Sequence, residues 1–174
     1  MNRAQRLHEI RSLLQADDVL TDVQLQRQGY SSDGLPSLLL SVRPLVTSRV
    51  ERTVRFVAAQ AQIFRDRPTQ LAHYAGIAAC RWQIGARRED WTLDRGQGQG
   101  QRPDAEWRDP EGRTWAIEYD AGYMKKVVRE KMVAFQATYD GVIWATPSQV
   151  RSRHLRALYP QARVVTVDYW SAHT

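Results

Sequence analysis

The chain has 174 residues, 43% of them hydrophobic, with a formal net charge of +6, enough for one good core or two small domains. Its pI near 9.8 is carried almost wholly by arginine and points to an anionic partner, most simply nucleic acid, because guanidinium forks suit phosphate. The single cysteine, Cys80, excludes an intramolecular disulfide framework and a Cys-rich zinc site, and no apolar run approaches the ~20 residues that span a bilayer. A cytoplasmic protein with no membrane partner is therefore expected.

Leu7, Ile10, Leu13 and Leu14 recur at helical spacing and predict a first helix over Arg6–Gln15. Thr21 can cap a short second helix containing Val23 and Leu25. After the break at Gly29–Ser32, a third helix is expected from Ser32 or Asp33 to Val42, with Pro36 in its first turn. This order matches a helix-turn-helix. Thr47–Val57 alternates around Arg49, Glu51, Arg52 and Arg55 and reads as a strand or a basic wing; through Phe64, a β-hairpin and one long helix both fit. Residues 1–66 thus read as a small, mainly helical, winged-helix-like domain, or as a helical capping or dimerisation module.

Arg65–Thr69 is a polar break, and residues 67–174 form the second expected domain. Gln70–Ile84 reads as a helix carrying His73, with Cys80 as a small core residue; Trp91 and Leu93 alternate as in a strand. Gly96–Gln101 repeats Gly-Gln, lacks the Lys-Ser/Thr ending of a phosphate-cradling loop, and reads as a linker or a lip beside the Asp104 strand.

The central stretch is Arg102–Phe135. Ala105–Arg108 can be a short strand, Asp109-Pro110-Glu111-Gly112 has turn chemistry, and Arg113–Tyr119 alternates as the returning strand. Val127, Val128, Met132 and Phe135 then switch to helical spacing. Glu118 and Asp120, two residues apart, share one strand face, and Asp104 lies on the neighbouring strand. Three converging carboxylates repel one another unless a cation sits among them, and hard oxygen ligands of this kind suit Mg²⁺ or Mn²⁺. The plainer reading of each is a solvated charge beside a hairpin.

Beyond it, Asp140–Ala145 and Arg163–Tyr169 read as buried strands joined by a helix from Ser148 to Leu158, a βαβ unit that implies a parallel pair. In that helix Val150, Leu155 and Leu158 are expected inward, and Arg151, Arg153 and Arg156 outward. Tyr169-Trp170 is expected to pack on the sheet. Helix, three-strand meander, helix, strand, helix, strand is an α/β pattern with a mixed central sheet flanked by helices.

Pro103-Asp104, then Ile117-Glu118-Tyr119-Asp120 and a lysine on the next helix, resemble the PD-(D/E)xK nuclease fold. More narrowly, PDA, WAIEYD and K-x-x-x-F resemble the replication-relaxation family of bacterial plasmid replication and conjugative transfer, in which a nuclease-like domain follows a winged helix. The resemblance implies DNA as partner, with a relaxase or replication proteins beside it and a homodimer left open. It also implies Mg²⁺ or Mn²⁺ held by Asp104, Glu118 and Asp120. One departure is plain: the third motif position is Asp120 instead of lysine, and the only lysines are Lys125, Lys126 and Lys131. Lys131 or Lys126 would have to supply the missing cation from the helix. Two functions are expected on this basis: metal-assisted hydrolysis of DNA phosphodiester bonds, or a non-catalytic DNA-binding replication or transcription regulator that keeps the nuclease fold.

Overall fold

The computed structural model describes residues 3–96 and 102–172. The Gly-Gln loop expected beside Asp104 lies, from residue 97 onward, outside the described residues.

Helix α1 (Arg3–Asp17) buries Ile10 and Leu14, as their spacing predicts. Asp18 reverses the chain in a left-handed conformation, φ 59°, into strand β1 (Val19–Thr21). Helix α2 (Asp22–Arg27) opens with a full capping box: the Thr21 side chain accepts from Gln24 N–H while the Gln24 side chain accepts from Thr21 N–H. The third helix expected over residues 32–42 is instead strand β2 (Ser37–Val42). Three consecutive leucines suit either state, and the partner decides: in antiparallel register with β3 (Arg52–Ala58), Leu38 faces Phe56 and Leu40 faces Val54. Leu38, Leu40 and Val42 meet the core, while Leu39 stays exposed. The small sheet has the order β1-β3-β2, and a short helix α3 (Gln62–Asp66) follows. The N-terminal part is mixed, not mainly helical.

Pro68–Gln70 forms one 3₁₀ turn and leads into α4 (Leu71–Ile84). Gly85 ends α4 at φ 72°, where its N–H reaches the carbonyls of Arg81 and Trp82. Strands β4 (Trp91–Leu93), β5 (Ala105–Arg108) and β6 (Thr114–Tyr119) form the antiparallel meander. The turn between β5 and β6 is organised by Asp109, whose carboxylate accepts from Glu111 N–H, Arg113 N–H, Arg113 Nε and Trp115 Nε1. Helix α5 (Lys125–Thr138) crosses to β7 (Gly141–Thr146), and α6 (Gln149–Leu158), capped by Ser148, crosses to β8 (Arg163–Thr166). The sheet order is β4-β5-β6-β7-β8, with β6, β7 and β8 parallel.

Helix α4 covers one face of this sheet, against Ile117, Tyr119, Ile143 and Val165; α5 and α6 cover the other, against Ala116, Val142 and Trp144. Residues from both sides of the polar break share a core, since Val19, Val54 and Phe56 belong to the cluster that holds α4. Polar contacts cross there too: Arg81 donates to Asp17 in a buried pair at 2.6 Å, and Gln24 Nε2 donates to the Ala75 carbonyl at 2.9 Å. Tyr169 is buried against Phe56 and Trp170, as expected. Helix α6 differs from its reading. Leu155 and Ser152 are buried, but Val150 and Leu158 are exposed, and Arg151 turns inward.

Candidate functional site

The site lies where β5 begins, β6 ends and α4 and α5 pass on opposite faces. Asp104 immediately precedes β5. Its Oδ2 accepts the Tyr119 N–H at 2.7 Å, and its Oδ1 lies 3.0 Å from Nε2 of His73 on α4. Burial pulls the His73 pKa down, but the hydrogen bond and charge of Asp104 outweigh it and leave His73 above its ordinary value. His73 also meets the edge of Tyr119, so this histidine bridges helix and strand ends.

Glu118 is fully buried on β6. Its Oε1 receives Nζ of Lys131 at 2.5 Å, while Oε2 is buried with no hydrogen-bond partner. Burial pushes the carboxyl up to about 8 and the charge of Asp104 adds to this, against the opposing pull of Lys131 and of the nearby Tyr123 hydroxyl. Burial likewise raises the Tyr123 hydroxyl, with Glu118 and Asp104 adding. The Lys131 ammonium sits over the rings of Tyr123, at 5.5 Å, and Phe135, at 5.8 Å. In front of these groups a cleft of about 430 Å³ is lined by Gln70, His73, Arg102, Asp104, Tyr123 and Lys131, among others.

The structure therefore joins Asp104, Glu118 and Lys131 and separates the other two expected residues. Asp120 leaves the metal-ligand set. Its Oδ1 accepts from Gly122 N–H and Tyr123 N–H, and its Oδ2 accepts from Trp144 Nε1 and from Arg151 Nε and Nη2. Every strong acceptor direction is used to shape the β6–α5 turn and to tie α6 to it. Lys126 is 77% exposed on α5 and faces Glu130 at 3.9 Å, so Lys131 takes the position nearest Glu118.

Among the described residues, no group of three or more His, Cys, Asp or Glu is arranged to hold a metal ion. Two carboxylates remain. An orphaned buried oxygen on Glu118 beside the charge of Asp104 fits a hard divalent cation, which needs only one or two carboxylates when water and phosphate complete its shell.

In the sequence His73 reads only as part of a helix, and neither Tyr123 nor Arg102 stands out as a site residue. The signal for His73 was Gly76, one helical turn on: a small residue there lets the sheet approach α4 closely. Comparison with family models, curated proteins and solved structures finds no match to this chain. Among the described residues, no helix is long and apolar enough to cross a membrane.

Proposed function

We propose that this chain is a DNA-processing protein of plasmid replication or mobilisation, related to the replication-relaxation family, whose PD-(D/E)xK-like domain hydrolyses phosphodiester bonds with Mg²⁺ or Mn²⁺. One observation carries the reading. A fully buried glutamate with one orphaned oxygen stands at the end of a central strand, between an aspartate just before the adjoining strand and a lysine on the following helix. A buried carboxylate is costly without a compensating partner, and one oxygen of this one has no hydrogen-bond partner, behind the His73, Asp104, Tyr123 and Lys131 side chains that line the cleft.

Asp104 and Glu118 would hold the ion, which when bound neutralises phosphate charge and makes a bound water more acidic. Lys131 meets the negative charge at the scissile phosphate and orients water. His73 fixes Asp104 through its hydrogen bond, and Arg102 offers the cleft a guanidinium for the backbone. Ahead of this domain, α1 and α2 are followed directly by the β2–β3 hairpin, without the recognition helix that a winged helix carries between them.

A second reading is favoured by a specific feature. Glu118 pairs with Lys131, and Asp104 with His73, so both carboxylates already have a partner within the chain. A DNA-binding regulator that keeps the fold without hydrolysis needs no more than this. Supercoiled-plasmid nicking with Mg²⁺ or Mn²⁺ separates the two. Loss of nicking with Glu118→Ala and with EDTA supports the hydrolase. Absence of nicking in the wild type, with salt-sensitive DNA binding that survives Glu118→Ala, leaves the regulator.

A further inference from the structure

We propose that the β2–β3 hairpin is a clamp that holds the DNA backbone against the cleft, a role that rests on the proposed function and assigns it a gripping element. The tip of the hairpin reaches the site. Val46, in the loop between β2 and β3, lies so close to Gly122 that a Cβ placed there would come within 2.9 Å of Val46 Cγ2. Gly122 belongs to the turn fixed by Asp120 and is followed directly by Tyr123, which lines the cleft. The hairpin therefore ends at the lip of the cleft.

Charge and side-chain direction agree with this placement. Arg52 shares its strand face with Val54 and Phe56, the face packed on the core, but lies beyond the core and is exposed. Arg49 is exposed in the loop, and among the described residues neither Arg49 nor Arg52 makes an ion pair or a side-chain hydrogen bond. Val46 and Val50, 64% and 53% exposed, add an apolar surface beside these arginines. Guanidinium groups flanking apolar side chains suit a phosphate backbone together with sugar or base faces. The alternative DNA-reading element is weak. Helix α2 has only six residues, with Gln24 and Leu25 buried, and no helix occupies residues 28–36. The hairpin reaches the lip of the cleft and is better placed than α2 to grip.

The test uses tethered cleavage in the full chain. Cys80 is buried, with its thiol pushed up to about 12 by burial, so an introduced cysteine is the one that reacts. Val46→Cys and Thr69→Cys, the second lining the cleft, are each labelled with an iron–EDTA reagent and mixed with end-labelled duplex DNA. Cutting of bound DNA from both positions is expected. In parallel, Arg49→Ala with Arg52→Ala weakens binding about tenfold and lowers the salt-dependence slope by about 2, the loss of two phosphate contacts. Cutting from position 69 alone, from position 46 alone, or unchanged affinity in the arginine variant overturns the clamp. Cutting from both positions without Mg²⁺-dependent nicking keeps the clamp and removes the hydrolase. No cutting from either position, with no DNA binding, removes both.

Discussion

The ammonium of Lys131 meets the Glu118 carboxylate at 2.5 Å across 13 residues of chain, while Lys126 points to solvent. In the proposed hydrolase the catalytic lysine would therefore be Lys131 of α5. Lys131→Met is expected to lower plasmid nicking by about 100-fold, the scale seen when one group that stabilises developing charge is removed. Lys126→Ala should leave the rate within about twofold. Rates measured at a salt concentration where both variants bind DNA alike check the contrast; equal losses would contradict it.

The raised pKa of Glu118 has a definite sign in stability. Its folded value of about 8 exceeds the ordinary 4.5, so its contribution is complete below the ordinary value and is lost as pH rises through about 8. In EDTA, the wild-type Tm should therefore fall more between pH 5 and pH 9 than that of Glu118→Gln, which keeps the shape without the charge. At pH 9 the variant should melt a few degrees higher, at ~2–4 °C per kcal/mol for a chain of this size. Mg²⁺ should raise the Tm of the wild type and leave the variant unmoved. Thermal melts across this pH range decide it.

Gly76 sets the distance between α4 and the sheet. A Cβ there would lie 2.3 Å from Cε2 of Tyr119, a fully buried ring. Gly76→Ala gains helix propensity but overpacks the core, at a cost of ~1–3 kcal/mol. Because Tyr119 also meets His73, the shift should be felt at the site. A lower Tm together with slower nicking is expected, and a variant as stable as wild type would show that the ring has room to move.

The Asp17–Arg81 pair is buried on both sides, at 0% and 6% side-chain exposure. Burial keeps the Asp17 pKa above its ordinary value even though Arg81 and Trp82 donate to it. Arg81→Met alone should cost ~3–5 kcal/mol by leaving a buried carboxylate without its cation. Adding Asp17→Leu should recover most of that loss. Denaturant unfolding of the three proteins checks the cycle; additive losses would rule out the coupling.

Much of the five-stranded part was legible because each segment carries its own period. The alternation of Arg113–Tyr119, the Asp109–Gly112 turn and the apolar runs before Ala145 and Tyr169 need no knowledge of neighbours. The helix expected through Leu38-Leu39-Leu40 failed because the state of this stretch is set by Phe56 and Val54 across the hairpin. The inward reading of Val150 and Leu158 failed because α6 turns Ser152 and Leu155 toward the sheet instead. At the site, strand parity rightly put Glu118 and Asp120 on one face. It could not show that Trp144 and Arg151, distant in sequence, would absorb Asp120 completely. The choice of Lys131 likewise required the angle at which α5 crosses β6, which no local pattern encodes.

The buried hydroxyl of Thr21 donates to the Tyr169 carbonyl at 2.6 Å, across 148 residues. During synthesis on the ribosome, this early segment therefore emerges long before its partner exists. Its capping box can form at once from Thr21 and Gln24, but Val19, Phe56 and their neighbours must wait for Val165, Val167 and Tyr169 before their core is complete. For that interval the nascent chain carries an apolar surface that a chaperone would recognise, and a release delayed past Tyr169 would favour correct closure over aggregation.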